Sequence, residues 1–337
     1  MNRHQIVLPS GQRISYLEAG PAEGHTVVLL HGGGADNAEL SWGPTIRLLA
    51  ERGYHLIAPD HPGYGRSPRS FNYATMENQV AYVDEFIDTL GLHDYDLVGV
   101  SMGGGMAIGH TLRHLDQVRK LVLVASYGYQ MTLAAQPMLM TGSWIPWLTE
   151  MIQWTSWNPY TVGFGLTAVL AKSVVSDELA DGVRRAALDT PALSTFNEFQ
   201  RHELGPLGNR TNYSNRLHQI TQPVLLIHGE HDIIFPSNDA RTAATLFPNV
   251  HLEILPRVGH WAQRDDPEAV HALILDFLTD ASGFDVVETE EVLETEDEVE
   301  TEDEVEEVLA EEAVDEQVGA DDTLATVTEI TPRNPAA

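Results

Sequence analysis

The sequence contains no cysteine, which excludes disulfide bonds, thiolate catalysis and cysteine metal ligands. Basic residues are scarce: 19 Lys and Arg stand against 50 Asp and Glu, and the formal net charge is −31 at pH 7. Nucleic-acid binding depends on cationic side chains that contact phosphates, so we expect no nucleic-acid partner. The same shortage disfavours anionic membrane surfaces, and no apolar run reaches the roughly 18–20 residues of a transmembrane helix. We therefore expect no membrane partner.

The beginning of the chain, MNRHQIVLPSGQRISY, lacks the apolar segment of a secretory signal, so we expect a soluble, cytoplasmic protein. Its 337 residues exceed the usual size of one simple domain. The length predicts either one large domain with an insertion or a domain with a tail. The oligomeric state stays open at this stage.

The negative charge is concentrated at the end of the chain. From residue 284 onward there are 21 acidic residues and one basic residue, Arg333. The segment TEDEVE at 295–300 is repeated at 301–306, and a six-residue period gives no continuous apolar helix face. Dense like charge also opposes collapse. We predict that residues 284–337 are disordered.

Short runs rich in Val, Leu and Ile alternate with longer helical patterns, which predicts an α/β fold with a mostly parallel sheet between helices. The core would comprise residues 1–127 and 223–283. Strands are predicted at 14–18, 26–31, 55–59, 96–100, 120–125, 224–228 and 251–255. Helices are predicted at 40–52, 76–90, 102–115, 238–246 and 267–278.

Residues 128–222 interrupt this alternation. They hold four of the six tryptophans, at positions 144, 147, 154 and 157, and no convincing buried strand. We predict an inserted helical cap over one end of the sheet. The alternative is a run of ordinary helices in the same layer as the others.

The segment DLVGVSMGG at 96–104 runs from a buried strand through G-x-S-x-G into a helix start. So sharp a turn strains the backbone of Ser101 and leaves room only for small residues two positions before and after it. It lifts the hydroxyl above the sheet at a helix N-terminus, which carries partial positive charge. Ser101 is therefore the predicted nucleophile. The alternative is a plain serine turn.

Glycine-rich LLHGGG at 29–34 ends an earlier strand and lets backbone N–H groups approach a ligand. Gly33, with Gly34 as a second choice, is the predicted partner of the Met102 N–H in an oxyanion hole. A flexible glycine turn is the alternative. His31 is interpreted as a structural residue that orders this loop.

An acid and a histidine follow the later strands. Asp232 in HGEHDIIFP lies at the carboxyl edge of the sheet, where ligands bind in open α/β folds, and would orient a histidine. Glu230 is its near competitor but lies closer to the strand end, and the strand before it leads into LVASY, which has no acid. His260 in VGHWAQ would be the general base. The chain order serine, acid, histidine is that of α/β-hydrolase triads.

Two other interpretations of the sequence are weaker. His228, His231 and Asp232 could suggest a metal site, but no second histidine cluster completes it. The glycines at 103–105 lack the spacing of a dinucleotide or phosphate loop. We therefore expect no metal and no cofactor.

Together these motifs resemble the α/β-hydrolase superfamily over roughly residues 3–280. DHPGYGRS at 60–67 is similar to a structural loop of that family. HGGG at 31–34, SMGG at 101–104 and HWAQ at 260–263 are similar to the meta-cleavage-product hydrolases, which split carbon–carbon bonds in dienoate acids. The resemblance implies a small-molecule substrate.

The chain departs from that subgroup at two places. Val100 stands where the subgroup has asparagine, and Asp189 stands near the position of its carboxylate-binding cap arginine, with Arg184 and Arg185 about a turn earlier. We therefore expect a carboxylesterase-like serine hydrolase acting on a largely apolar acyl group. A carbon–carbon hydrolase and a catalytically silent binding protein are the alternatives. Expected substrate contacts are Gly34, Trp261, Trp144 and Trp147.

Overall fold

The computed structural model of the protein describes residues 1–70, 75–130, 136–206 and 208–279. The predicted disordered tail lies outside these residues. The strands are β1 Asn2–Val7, β2 Arg13–Ala19, β3 Thr26–Leu30, β4 His55–Pro59, β5 Tyr95–Val100, β6 Val118–Val124, β7 Leu204–Gly205, β8 Gly208–Asn209, β9 Val224–Gly229 and β10 Val250–Leu255. The helices are α1 Ala38–Glu51, α2 Met76–Leu90, α3 Met102–Thr111, α4 Gln136–Ser143, α5 Pro146–Thr155, α6 Pro159–Val169, α7 Asp177–Asp189, α8 Ala192–Glu203, α9 Ser237–Ala244, α10 Ala262–Asp265 and α11 Pro267–Thr279.

Eight strands form one sheet in the order β1-β2-β4-β3-β5-β6-β9-β10. Strand β2 pairs antiparallel with β1 and β4, and the remaining neighbours pair in parallel. Parallel neighbours bring their carboxyl ends to one edge of the sheet. The predicted fold class, a mostly parallel sheet of the α/β-hydrolase type, is confirmed.

Successive residues of the central strands point to opposite faces of the sheet, and both faces are buried. In β3, Val27 and Leu29 belong to one hydrophobic cluster, which includes residues of α1 and α11. Val28 and Leu30 belong to the other, with residues of α2, α3 and α9. The continuous apolar runs are therefore the signature of a sheet covered on both sides.

All seven predicted strands are present, with ends that shift by one or two residues. Strand β1, NRHQIV, was not predicted, and neither were the two-residue strands β7 and β8. The predicted helix at 102–115 ends at Thr111. The missed β1 lies at the sheet edge, where most of its side chains are exposed or half-buried and no apolar run marks it.

Between β6 and β9 the chain forms α4 to α8, the short β7–β8 pair and a 3₁₀ helix at Ser214–Gln219. We call α4 to α8 the cap helices, while the boundaries 128 and 222 of an inserted cap stay a prediction. Helix α8 reaches the core, because the Glu203 carboxylate accepts a hydrogen bond from the Met76 N–H and Phe199 is buried. No helix of the described residues is long and apolar enough to cross a membrane.

Candidate active site

Ser101 lies at the turn between β5 and α3, with φ 52° and ψ −120°. A positive φ is strained for a residue with a Cβ atom. The glycines on either side allow the turn: a Cβ on Gly99 would lie 2.4 Å from the Gly103 carbonyl oxygen, and one on Gly103 would lie 2.4 Å from the carbonyl oxygens of Leu30 and His31. The spacing of G-x-S-x-G is thus a steric requirement of this backbone.

The structure brings Ser101, His260 and Asp232 into one hydrogen-bonded row. Ser101 Oγ lies 3.0 Å from His260 Nε2, and His260 Nδ1 lies 2.7 Å from Asp232 Oδ2. With the Nδ1–H donating to the carboxylate, Nε2 is left to accept the serine proton. His260 and Asp232 are both buried, which strengthens these interactions by excluding water.

Asp232 is held in its ionised form by its surroundings. Its Oδ1 accepts hydrogen bonds from the N–H groups of Ile234 and Phe235, at 2.8 and 2.9 Å. Burial alone would raise the pKa of Asp232, but the charge of His260 and hydrogen bonds from His228 and His260 outweigh it and lower the pKa below the ordinary value. The competitor Glu230 is about half exposed and accepts instead from the Arg257 N–H.

The backbone N–H groups of Met102 and Gly33 are the two predicted oxyanion donors, and both residues line the same cavity as Ser101. The Met102 N–H is in the first turn of α3, and the Gly33 N–H is in the loop after β3. Neither has a hydrogen-bond acceptor among the described residues. A Cβ on Gly33 would lie 2.3 Å from the Phe196 ring, so a glycine is needed where α8 approaches this loop.

Stacked histidines support the glycine loop. His31 Nδ1–H donates to the Gly32 carbonyl, and His31 Nε2 accepts from the His61 N–H. The two rings stack at 3.9 Å, and His61 Nδ1 accepts from the Tyr82 hydroxyl at 2.6 Å. Burial lowers the pKa of His31 and lowers that of His61 to about 4, so both rings are neutral at pH 7. This geometry fits the structural role expected of His31.

Asp36 is a buried carboxyl group in the cavity wall that the sequence did not single out. Its oxygens accept from the Gly32 N–H at 2.9 Å, the Asn37 N–H at 2.7 Å and the Ser41 hydroxyl at 2.6 Å. Burial raises the pKa of Asp36 to about 7, although these three donors lower it in part. Asp36 therefore ties the glycine loop to α1.

A cavity of about 430 Å³ opens onto Ser101. Gly33, Gly34, Met102 and Trp261 are among the residues that line it, and their roles in an oxyanion hole or in substrate contact stay a prediction. Most of its remaining wall is aliphatic or aromatic: Leu166, Val169, Val183, Phe196, Phe199, Leu204, Ile233, Ile234 and Phe235. Phe196 and Phe199 were not predicted; their spacing of three residues on α8 is the signal that could have indicated them.

Trp144 and Trp147 do not line the cavity. Their exposed fractions are 66% and 61%, because the chain at α4 and α5 turns these side chains outward. The Trp144 ring lies 6.0 Å from the Arg201 guanidinium. The structure thus separates these two tryptophans from the other expected substrate contacts.

No Lys or Arg side chain is among the described residues that line the cavity. Arg184 and Arg185 both pair with Asp181 on α7. Asp189 lines a separate surface pocket beside Arg66. The described wall of the cavity therefore offers an anion no Lys or Arg side chain.

In the described part of the chain, one group has the spacing of metal ligands: Asp84, His110 and His114. His110 Nδ1 contacts Asp84 at 2.6 Å and His110 Nε2 contacts the Tyr95 hydroxyl at 2.5 Å. Arg113 also pairs with Asp84. Both ring nitrogens of His110 are thus in use, and the group is a hydrogen-bond network between α2 and the last turn of α3, at the opposite end of that helix from Ser101.

Comparison with known proteins agrees with this architecture. The profile of the family described as alpha/beta hydrolase fold matches residues 25–267. The chain is 30% identical to the uncharacterized hydrolase YugF of Bacillus subtilis, over 75% of this chain and 89% of that one. It is 28% identical to 2-hydroxymuconate semialdehyde hydrolase of Pseudomonas putida, over 82% and 94%. An esterase from Exiguobacterium antarcticum has the same fold, with a TM-score of 0.69, 22% identity and coverage of 82% and 99%.

Proposed function

Because the chain belongs to the α/β-hydrolase family and is a hydrolase, we propose that it cleaves a small, uncharged, largely apolar carboxylic ester through Ser101, His260 and Asp232. The observation that carries this proposal is the hydrogen-bonded row from Ser101 to Asp232 beside an apolar cavity whose described wall has no Lys or Arg.

The geometry supports an acyl-transfer mechanism. His260 Nε2 takes the proton of the Ser101 hydroxyl while Oγ attacks the ester carbonyl carbon. The N–H groups of Gly33 and Met102 donate to the oxyanion; loss of one such donor costs about 2.7–4 kcal/mol in a serine protease of a different fold. Collapse of the tetrahedral intermediate expels the alcohol, which takes its proton from His260.

Water completes the reaction. His260 removes a proton from a water molecule, the resulting hydroxide attacks the acyl carbon, and Ser101 Oγ leaves with the proton returned by His260. Asp232 stays ionised and stabilises the charged imidazolium in both halves of the cycle. Its lowered pKa supports this role.

The absence of Lys and Arg from the described wall of the cavity supports an ester substrate over a dienoate acid. A substrate carboxylate buried against this wall would have no ionic partner, and an unpaired buried charge is costly. Asp36, the carboxyl group of the wall, would repel it when ionised. The apolar residues of the wall instead favour an alkyl or aryl group.

Carbon–carbon bond hydrolysis is the second candidate, favoured by the name of the Pseudomonas putida relative. In that reaction His260 would first shuttle a substrate proton, and Ser101 and the oxyanion donors would then act on the resulting ketone. The same three residues would serve both reactions, so activity on each class of substrate is the measurement that distinguishes the two candidates.

A direct comparison of substrates tests the proposal. We expect kcat/KM for p-nitrophenyl butyrate to exceed that for 2-hydroxy-6-oxo-6-phenylhexa-2,4-dienoate by at least about 100-fold, the usual cost of an unpaired buried charge. Ser101→Ala should abolish both activities. Preference for the dienoate would overturn the ester assignment and establish the second candidate.

A further inference from the structure

Large hydrophobic side chains are exposed mainly in one stretch of the chain. Thirteen are exposed in the described residues, and nine of them lie between 144 and 174. We call eight of these the aromatic cap surface: Trp144, Trp147, Met151, Ile152, Trp154, Trp157, Tyr160 and Phe164. Exposed hydrophobic residues are ordinary when scattered, but such a concentration marks an interaction site.

The exposed residues follow helical spacing. On α5, Trp147, Met151 and Trp154 lie at i, i+4 and i+7 and are 61%, 43% and 73% exposed. On α6, Tyr160 and Phe164 lie at i and i+4 and are 85% and 81% exposed. Each helix thus presents an apolar stripe to solvent, where a soluble helix ordinarily presents polar residues.

The aromatic cap surface is also nearly free of charge. Between residues 144 and 171 the sequence has a single charged side chain, Glu150, whereas the whole chain carries a net charge of −31. Tryptophan and tyrosine combine a large apolar ring with one polar hydrogen-bonding atom, and they are enriched where hydrocarbon meets water at a lipid surface. The stretch itself contains no arginine, and the Arg201 guanidinium of α8 lies 6.0 Å from the Trp144 ring at its border.

Helix α6 connects this surface with the active site. Leu166 and Val169 on α6 line the cavity above Ser101, while Tyr160 and Phe164 on the same helix are exposed. Ile233 also lines the cavity and is 60% exposed, so the apolar wall reaches the outside of the molecule. A lipid layer at this surface would present apolar esters close to the cavity.

From these observations we propose that the aromatic cap surface docks onto neutral, zwitterionic lipid surfaces and that the cavity draws its ester substrate from them. The delivery role rests on the proposed ester hydrolysis, whereas the docking does not. The strong negative charge of the chain makes an anionic surface unfavourable, so charge and apolar contact together select the lipid. The proposal revises the expectation of no membrane partner. The negative charge of the chain disfavours anionic lipid surfaces but does not oppose binding to neutral ones.

Tryptophan fluorescence of the full-length chain tests the docking directly. Four of the six tryptophans belong to the aromatic cap surface, while Trp42 and Trp261 are buried. Phosphatidylcholine vesicles are expected to shift the emission to shorter wavelength, and doxyl-labelled phosphatidylcholine to quench it. Phosphatidylglycerol vesicles should bind more weakly, with the difference reduced at high salt.

The double variant Trp154→Ser/Trp157→Ser provides the specific test. It should weaken partitioning to phosphatidylcholine by at least about tenfold, because each inserted ring removes on the order of 150–250 Å² from water. Hydrolysis of a dissolved short-chain ester should stay at the wild-type rate, while hydrolysis of an emulsified ester falls. Val7→Ser/Leu115→Ser, which removes two exposed apolar residues elsewhere, is the matched control and should leave partitioning unchanged.

Three results would overturn the proposal: no spectral shift with phosphatidylcholine, equal partitioning of the tryptophan variant and the control, or a stable dimer that becomes monomeric in the tryptophan variant without any lipid binding. The last result would make the surface an interface between two copies. Vesicle binding and ester hydrolysis are measured separately, which separates the two proposals. If the wild type binds vesicles but hydrolyses no ester, only the proposed function is contradicted. Ser101→Ala is expected to bind vesicles like the wild type and to hydrolyse no ester.

Discussion

The carboxyl edge of the sheet and the cap helices differ in how tightly the backbone is packed and in which side chains are exposed. The backbone turn that carries Ser101 is tightly packed: a Cβ on Gly99 or Gly103 would lie 2.4 Å from a backbone carbonyl oxygen. On α6, a Cβ on Gly163 or Gly165 would meet nothing within 4 Å. The sheet edge buries its polar groups in hydrogen bonds, whereas the cap exposes tryptophans to solvent.

This contrast separates two tasks. A catalytic row needs its atoms held within a few tenths of an ångström, and the crowded sheet edge provides that. A cavity wall and an outer surface need only apolar area of suitable shape, and the cap helices provide that. Changes at the sheet edge should therefore alter reaction rate or folding, and changes in the cap should alter which substrate is used.

The largest expected effect concerns Asp232. Asp232→Asn should lower kcat for ester hydrolysis by about 10⁴-fold, because an amide does not stabilise the imidazolium and favours the wrong histidine tautomer. Glu230→Gln, two residues away and exposed, should leave kcat unchanged. Steady-state kinetics on p-nitrophenyl butyrate measure both. Equal losses in the two variants would mean that the acid has been wrongly identified.

The next effect is the pH dependence of stability that Asp36 contributes. Its pKa is raised from 3.8 to about 7 in the folded chain, so the native state holds a proton that the unfolded state has lost. Stability therefore falls as pH rises from about 4 to 7, by up to about 4 kcal/mol. Asp36→Asn should remove this decline and Glu230→Gln should retain it, in urea unfolding at several pH values. An unchanged slope in Asp36→Asn would show that Asp36 ionises normally.

A pair of glycine substitutions compares the two regions by stability. Gly103→Ala should lower the free energy of unfolding by at least about 1–3 kcal/mol, because the new methyl group meets backbone oxygens. Gly163→Ala should raise it by about 0.4–1 kcal/mol, because the site is open and helical. Denaturant titrations of both variants measure these changes in the free energy of unfolding. Destabilisation by Gly163→Ala as large as that by Gly103→Ala would remove the contrast.

The smallest effect concerns substrate binding in the cap. Phe196→Ala should raise KM for phenyl esters by about tenfold, because the ring lines the cavity and its loss is worth on the order of 1–3 kcal/mol of apolar contact. Trp154→Ala removes an aromatic ring that faces solvent and should leave KM for a dissolved ester unchanged. Similar KM values for Phe196→Ala and the wild type would place the phenyl group of the substrate elsewhere.

The central strands and the serine turn could be predicted because their causes are local. Buried runs such as TVVLL form strands that both faces cover, and G-x-S-x-G meets a steric requirement. The edge strand Asn2–Val7 could not be predicted, because its pairing with β2 is a tertiary contact and its exposed side chains carry no apolar pattern.

The cap helices show why the other residues of the cavity wall could not be predicted from the sequence. The tryptophans at 144 and 147 were expected in the cavity because they are large and aromatic, but the direction of a helical side chain depends on how the helix packs. The helical spacing that could have indicated Phe196 on α8 occurs on α5 as well, where Trp147 faces outward. Asp36 was missed because only the packing of α1 buries its carboxyl group.

Labelling of the full-length chain with a fluorophosphonate tests the central claim, that Ser101 is an activated nucleophile. Intact-mass analysis and peptide mapping should find one adduct, on Ser101, which is absent from Ser101→Ala and retained in the control Ser10→Ala. An excess of p-nitrophenyl butyrate present during the labelling should slow it by competing for the same site. Absence of any adduct, or equal labelling of Ser101→Ala and the wild type, would contradict the account and favour a binding protein with the same fold.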